Sequence, residues 1–173
     1  MNIKIRLWDK ISNRMIYESR DLENDDMVVM TLDGELQFAS GLENYHRNDF
    51  IKMLYTGLKD NTKWNQLSQE EKERFYHQNC SEDGRTIKYQ NIDDVKYLWE
   101  GKEIYEGDIY HLGDKNIKYL VVWHDTGLIG KQVGSSSYAG LEHWQDRIEV
   151  VGNIYENPEL MEWRCKNVKR KEM

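Results

Sequence analysis

Proline and cysteine are scarce in this sequence. Its 173 residues include one proline and two cysteines, Cys80 and Cys165, which lie far apart and outside any CxxC arrangement. Two isolated thiols are typical of a protein kept in a reducing compartment, so we expect no disulfide. With 39% hydrophobic and 32% charged residues, the chain has the composition of a folded domain and not of a disordered one.

Long apolar stretches are also missing. No run approaches the roughly 18 apolar residues that indicate a membrane-spanning helix. The first ten residues, MNIKIRLWDK, lack the apolar core of a secretory leader. We therefore expect a cytoplasmic protein that does not contact a membrane.

The motifs of common catalytic and nucleotide-binding sites do not occur. The sequence contains neither GxGxxG nor GxxxxGK[ST], and neither GxSxG nor HExxH. Its five histidines and two cysteines have no metal-ligand spacing. His124 and Asp125 have the residue types of a general-base pair, but neighbours in a strand point to opposite faces, which favours a turn at the end of a strand. We predict a protein that is not an enzyme, with no catalytic residue, cofactor or metal.

Positive charge is in the minority. The formal net charge is −7 at pH 7, which disfavours broad binding to nucleic acid because such binding depends on neutralising phosphates with Lys and Arg. A local basic patch stays compatible with this balance.

Aromatic residues, in contrast, are plentiful. Six tryptophans and eleven tyrosines provide large apolar surfaces, and most are expected in the core. Any that stay exposed would offer a flat surface to a partner.

The segment Gly101–Trp123 organises the predicted fold. In it, Gly107 and Asp108 indicate a tight turn, in which Gly107 takes φ > 0 and the Asp108 carboxylate accepts hydrogen bonds from nearby backbone N–H groups. A second turn is predicted at Gly113–Asn116, and Ile117–Trp123 has the β-branched and aromatic residues of a strand. Alternating turns and strands of this kind indicate antiparallel pairing.

Similar patterns recur along the chain. Ile3, Ile5 and Leu7 alternate with polar residues as in a half-buried strand, and Asp33-Gly34 is a strong hairpin signal. Further strands are predicted at Met15–Tyr17, Met27–Leu32, Leu36 to Phe38, Phe50–Thr56 (ending at Gly57) and Arg147–Tyr155, and Gly127–Gly140 is predicted to be a mobile loop or a long hairpin tip.

Residues 61–99 differ in character. Ser68 and Glu71 have the spacing of a capping box, which predicts a helix over Gln69–Gln78, and a second short helix is expected from Ile92. The predicted fold class is mainly β, a small, strongly bent antiparallel barrel of SH3-like kind with a helical insertion at 61–99. Residues 1–163 form one predicted domain, followed by a basic tail at 164–173.

Several segments carry a resemblance to a known family. They are IKIRLWDKISNRMIY at Ile3–Tyr17, YTGLKD at Tyr55–Asp60, GKEIYEGDI at Gly101–Ile109, VVW at Val121–Trp123 and EVVGNIYENPEL at Glu149–Leu160. Together they resemble the YopX family of small phage and prophage proteins. The resemblance implies a phage or prophage accessory protein in a bacterial cell, and it brings no functional residues because the family has no established activity. It also implies that residues 61–99 are an insertion, because TGLKD runs almost directly into GKEIYEGD in the short family pattern.

These observations favour a non-enzymatic module that binds an unidentified protein of the host or the phage, with a homo-oligomer left open. For a protein partner, the aromatic-rich segment 61–99 has more apolar area than its own helices can bury, so it must pack on the barrel, on a second copy or on a partner; its rings are Trp64, Phe75, Tyr76, Tyr89, Tyr97 and Trp99. The speculative binding surface outside this segment is Trp8, Trp144 and Arg147. One alternative is a small β-barrel that binds nucleic acid through exposed aromatics and cations. Its candidates are Trp8, Trp123, Tyr138 and Trp144, with Arg147 and the basic tail. A second alternative is a hydrolase centred on His124 or His143.

Overall fold

The computed structural model describes residues 4–17, 27–30, 36–39, 49–79, 89 and 91–162, with 27–30 and 36–39 described as backbone only. The predictions that fall on Cys80, Cys165, the Asp33-Gly34 turn and the tail at 164–173 lie outside these residues. Within them the fold is mainly β, with two antiparallel sheets, one of them curled into a half-barrel, and a few short helices. The mainly β prediction is confirmed.

The first sheet has four strands in the order β2-β1-β5-β6. They are β1 (Ile5–Asp9), β2 (Arg14–Ile16), β5 (Phe50–Lys59) and β6 (Glu103–Tyr105). Between β2 and β5 in the chain, β3 (Met27–Met30) pairs with β4 (Leu36–Ala39) as a separate two-stranded ribbon. The two strands of the hairpin predicted around Asp33-Gly34 are therefore present.

The second sheet has five strands in the order β10-β9-β8-β7-β11. They are β7 (Asp108–His111), β8 (Tyr119–His124), β9 (Gly127–Gln132), β10 (Tyr138–Ala139) and β11 (Glu149–Asn153). The chain passes from the first sheet to the second at the turn between β6 and β7. Gly107 lies in this turn with φ 83°, as predicted, and its N–H donates to the Val121 carbonyl at 2.8 Å.

Helices are short, and they lie between β5 and β6 of the first sheet, between β10 and β11 of the second sheet, and after β11. The α-helices are α1 (Gln69–Asn79) and α2 (Leu141–Trp144), and 3₁₀ turns occur at Trp64–Gln66, Ile92–Leu98, Gln145–Arg147 and Pro158–Met161. At the start of α1, the Glu71 N–H donates to Ser68 Oγ at 3.2 Å and the Ser68 N–H donates to Glu71 Oε2 at 2.7 Å. The predicted capping box is therefore confirmed.

Three apolar clusters stabilise the described part of the chain. One lies with the second sheet, one with the first sheet, and one inside residues 61–99. Their buried members are, in that order, Ile104, Tyr110, Val121, Leu141 and Ile148; Trp8, Met15, Met53 and Tyr105; and Trp64, Leu67 and Val95. The 61–99 segment thus has a small core of its own.

Three strand predictions need correction. The strand from Phe50 does not end at Gly57 but continues to Lys59, because Gly57 takes φ 85° within an irregular pairing with β6. Of the two alternatives for 127–140, the mobile loop is wrong and the long hairpin is closer, because β9 and β10 pair antiparallel around a tip at residues 133–137. In β1 the predicted alternation is wrong, since Arg6 and Trp8 are buried along with Leu7.

Candidate functional site

A buried ion pair connects the two sheets. Arg6 on β1 donates from Nη2 to Oδ1 of Asp108 on β7, and the two side chains are only 8% and 1% exposed. The other Asp108 oxygen, Oδ2, accepts the Tyr105 N–H at 2.8 Å. The predicted role of Asp108 in the turn is therefore confirmed, and the same carboxylate also binds a residue from the start of the chain.

The Arg6 guanidinium lies against the ring of Tyr105, with 4.6 Å between Cζ and the ring centroid. Its Nε is buried and has no hydrogen-bond partner in the part of the chain that the structure describes. A buried N–H without a partner is unfavourable by about 1–3 kcal/mol and calls for an explanation.

Asp60 fixes the end of β5 to three other segments. Its Oδ1 accepts the N–H groups of Thr62 at 2.9 Å and of Lys102 at 2.7 Å. Its Oδ2 accepts the Thr62 hydroxyl at 2.6 Å and the Val150 N–H at 2.8 Å. Asp60 is 4% exposed, so one buried carboxylate holds β11, the residues before β6 and the beginning of the 61–99 segment in place.

The 61–99 segment packs around aromatic rings. Trp64, Phe75 and Trp99 contact one another edge to face, with centroids 5.0 to 6.1 Å apart, a favoured arrangement of aromatic rings. The indole N–H of Trp99 donates to the Thr62 carbonyl at 2.8 Å. This bond fixes the last aromatic of the segment to its first turn.

Helix α1 reaches the rest of the protein through two polar contacts. Glu71 pairs with Lys102 at 2.7 Å, and the Arg74 guanidinium lies 4.1 Å from the ring centroid of Tyr17. A cleft of about 660 Å³ lies between α1 and the sheets.

This cleft has two chemically different sides. Its apolar wall, Leu67, Phe75, Leu98 and Trp99, comes from the 61–99 segment. Its floor consists of the buried Arg6, Tyr105 and Asp108. Basic and acidic side chains line the cleft in equal numbers, five of each with the floor residues Arg6 and Asp108 included. The basic ones are Lys4, Arg6, Lys59, Arg74 and Lys102, and the acidic ones are Glu71, Glu100, Glu103, Asp108 and Glu156.

Burial changes the acidity of the floor. It raises the pKa of Asp108 to about 6, although the adjacent Arg6 acts in the opposite direction. Burial and the neighbouring Glu103 carboxylate also raise the pKa of the Tyr105 hydroxyl, so that it stays protonated. The floor therefore combines a permanent cation with a carboxylate that is easier to neutralise than usual.

The predicted binding residues do not lie together. Trp8 is 5% exposed and stacks on Tyr155, with 5.8 Å between ring centroids. The prediction that Trp8 lies on a binding surface is therefore wrong, because its ring is part of the first sheet's core. Trp144 is half-buried against the other core, where exposed Arg147 covers its ring at 5.3 Å and donates to the Leu112 carbonyl at 3.0 Å. Trp144 and Arg147 form an accessible pair outside the cleft.

The two histidines considered as centres of a hydrolase, His124 and His143, have different neighbours in the structure. His124 Nδ1 and Asp125 Oδ2 are 3.2 Å apart, with the side chains 42% and 83% exposed. The expectation that they point apart is wrong, because Asp125 follows β8 in a turn with φ 50°. His143 contacts the ring of Trp144 instead. Among the described side chains, no three His, Cys, Asp or Glu residues come together as a metal-binding group.

Sequence reasoning did not single out Arg6 or Asp60, whereas it did mark Phe75 and Trp99 of the apolar wall as rings that must pack on the barrel, on a second copy or on a partner. One signal was available for Arg6, a charged residue between Ile5 and Leu7 in a strand that then proves to be buried on both faces.

Within the described ranges, no helix combines the length and the apolar character that crossing a membrane requires.

Two kinds of known protein match this chain, a family model over its later part and solved structures over most of its length. A family model described as YopX protein matches residues 62–162, more than half of the chain. The chain belongs to the YopX family. The matched range contains GKEIYEGDI, VVW and EVVGNIYENPEL, whereas the resembling segments Ile3–Tyr17 and Tyr55–Asp60 precede it. Because the range also includes nearly all of 61–99, the interpretation of that segment as an insertion stays a prediction.

Two solved structures are similar to this YopX-family chain over 94% of its length. One is protein EF1440 from Enterococcus faecalis, at 18% identity, with 99% of that chain covered and a TM-score of 0.47. The other is protein yopX from Bacillus subtilis, at 18% identity, with 98% covered and a TM-score of 0.47. A search of curated proteins finds no match.

Proposed function

We propose that this YopX-family protein is a non-enzymatic binding module whose cleft takes an extended segment of a partner protein. The observation that carries the proposal is the two-sided cleft, in which the apolar wall faces a polar floor. A volume of about 660 Å³ is within the range of binding pockets and suits a few side chains of a peptide. A phage or prophage origin stays a prediction based on the family resemblance.

The chemistry of the lining favours a peptide as the occupant. Phe75 and Trp99 offer an apolar anchor site, and aromatic pockets of this kind are frequent centres of protein interfaces. The charges around the floor are balanced and mostly paired, as in Lys59 with Glu100 at 2.6 Å and Lys102 with Glu71 at 2.7 Å. A balanced lining gives little attraction for a polyphosphate backbone, whereas it suits a peptide with one apolar and one polar side chain.

Selection from a random peptide library tests this proposal. The immobilised protein would be panned beside two variants of α1, Gln78→Trp and Glu73→Trp. Gln78 is exposed and lines the cleft, so a tryptophan there narrows it, whereas Glu73 is exposed on the same helix and does not line it. The matched pair separates occlusion of the cleft from a general effect of a surface tryptophan.

The expected result is a family of peptides that bind the wild type and Glu73→Trp and lose at least about tenfold in affinity for Gln78→Trp, a change of about 1.4 kcal/mol. Circular dichroism would verify that both variants are folded. Peptides that bind all three proteins equally, or the absence of any selected peptide, would contradict the proposal.

A second candidate is binding of single-stranded nucleic acid on the second sheet. Trp123 and Tyr138 are 55% and 45% exposed, and the ring of His124 lies 4.6 Å from that of Tyr138. Exposed aromatics can stack with bases. Salt-dependent binding of an oligonucleotide that Trp123→Ala weakens and Gln78→Trp leaves unchanged would favour this candidate.

A further inference from the structure

Arg6 has donor capacity that the described residues leave unused. A guanidinium carries five N–H donors. In the described part of the chain, Arg6 donates from Nη2 to Asp108 while its Nε has no hydrogen-bond partner. The side chain is more than nine-tenths buried, and it lines the cleft. Because Nε itself is closed off from solvent, an acceptor in the cleft would bind the guanidinium N–H groups that Asp108 leaves unused.

The acids around the cleft do not compete for Arg6. Glu103 pairs with Lys4, Glu100 with Lys59 and Glu71 with Lys102. An incoming anion would therefore meet three rim carboxylates that lysines already neutralise, and a fourth, Glu156, that accepts from the Asn153 amide.

The acid that pairs with Arg6 is itself a weakened competitor. Asp108 divides its two oxygens between Arg6 and the Tyr105 N–H. Its burial raises its pKa to about 6, so part of the population near that pH leaves the Arg6 charge without a counter-ion.

We propose that the floor of the cleft is a carboxylate subsite, in which Arg6 binds an Asp or Glu side chain of the partner segment while a neighbouring apolar side chain packs on Phe75 and Trp99. This inference rests on the proposed function, whose ligand it specifies as an acidic-apolar segment. Hydrogen bonds between arginine and a carboxylate are stronger than neutral ones, and the low exposure of Arg6 keeps water from weakening them.

Two matched series of short probes test the subsite. Each probe is acetylated and amidated and contains a leucine separated by zero, one or two glycines from either a glutamate or a glutamine. Amidation removes the terminal carboxylate, so any preference belongs to the side chain. Binding to the wild-type protein would be followed by NMR, including the ¹H–¹⁵N signal of Arg6 Nε.

For the best spacing, the glutamate probe should bind at least about tenfold more tightly than its glutamine partner, because a hydrogen bond to a charged acceptor is stronger than one to a neutral acceptor. The Arg6 Nε signal should shift and saturate with glutamate. Arg6→Lys keeps the charge but loses the planar fork, and it should reduce the preference to about threefold or less. Lys115→Gln, an exposed change outside the cleft, should leave the preference unchanged.

The comparison of glutamate and glutamine probes on the wild-type protein tests the carboxylate subsite even if Arg6→Lys fails to fold. Equal affinities for glutamate and glutamine, or a shift at the cleft that spares Arg6 Nε, would overturn the subsite while leaving the peptide-binding function in place. If neither probe binds but library peptides do, the subsite is overturned alone. If library peptides also fail, the proposed function is overturned with it.

Discussion

Two glycines with nearly identical positive φ angles provide a controlled test of the turn between the sheets. Gly107 has φ 83° and Gly57 has φ 85°. A Cβ added at Gly107 would lie 2.9 Å from Met53 Cε and 3.3 Å from Tyr155 Cε2, whereas a Cβ at Gly57 would have no heavy atom within 4 Å. Alanine therefore introduces the same backbone strain at both positions, and a steric clash at Gly107 alone.

The magnitudes follow from these two components. Positive φ costs an alanine about 1–2 kcal/mol. Crowding a packed core costs about 1–3 kcal/mol, and the lower end applies here because the nearest atom is the flexible end of a methionine. We expect Gly57→Ala to lower the free energy of unfolding by about 1–2 kcal/mol and Gly107→Ala to lower it by about 2–3 kcal/mol.

Urea unfolding of the wild type and the two variants measures both values. The variants should share the wild-type m-value, which shows that the same surface is exposed on unfolding. The difference between them isolates the contact with Met53 and Tyr155. Equal losses would refute the steric reasoning, and no loss at either position would refute the strain reasoning as well.

Three further predictions concern buried polar groups. Gly130→Ala should be strongly destabilising, by about 3 kcal/mol or more, because its Cβ would lie 1.8 Å from the Tyr110 hydroxyl. Tyr110→Phe by itself should be neutral or stabilising, since the hydroxyl is buried with no described partner. Combined with Gly130→Ala, it should recover part of the stability that Gly130→Ala loses. A double variant whose denaturation midpoint falls by the sum of the two single changes would argue against this. Asp60→Asn should lower the free energy of unfolding by about 2–4 kcal/mol, because an amide cannot accept all four hydrogen bonds, whereas Asp114→Asn in an exposed turn should stay within about 0.5 kcal/mol of the wild type in the same assay. The pKa of Asp108 is about 6, against an ordinary value of 3.8, so its carboxyl group binds a proton more tightly in the folded state than in the unfolded state. The contribution of Asp108 to stability is therefore greatest below about pH 4, and it declines by about 3 kcal/mol as the pH rises through 6. The stability of the wild type minus that of Asp108→Asn should decline accordingly, and a difference that rises with pH would contradict the shift.

Local patterns predict what local interactions determine. The capping box at Ser68 and Glu71, the positive φ at Gly107 and the turn at Gly113–Asn116 depend on neighbours within a few positions, and the structure confirms each of them. The mainly β class follows from the same short-range signals. Gly57 shows their limit, because a glycine in a turn and a glycine in an irregular strand have the same local sequence signal, and only the partner strand distinguishes them.

The candidate site depends on contacts that are distant in sequence. Arg6 and Asp108 are 102 positions apart, and Asp60 and Val150 are 90 positions apart. No periodicity or motif connects such residues, since each carboxylate is consistent with a solvated loop until the fold brings its partner. Trp8 was misassigned for the same reason, because its neighbour Tyr155 lies in another part of the chain.

The range that matches the family model contains only part of the cleft. The family model matches residues 62–162, a range that supplies Asp108 and the apolar wall but not Arg6. The cation of the floor therefore comes from the preceding strand β1, and the matched range by itself would leave Asp108 buried without its cation. Breaking a buried ion pair by losing one partner costs about 3–5 kcal/mol. In this chain, then, Arg6 serves stability through one edge of its guanidinium, and the remaining edge is what the proposed carboxylate subsite uses.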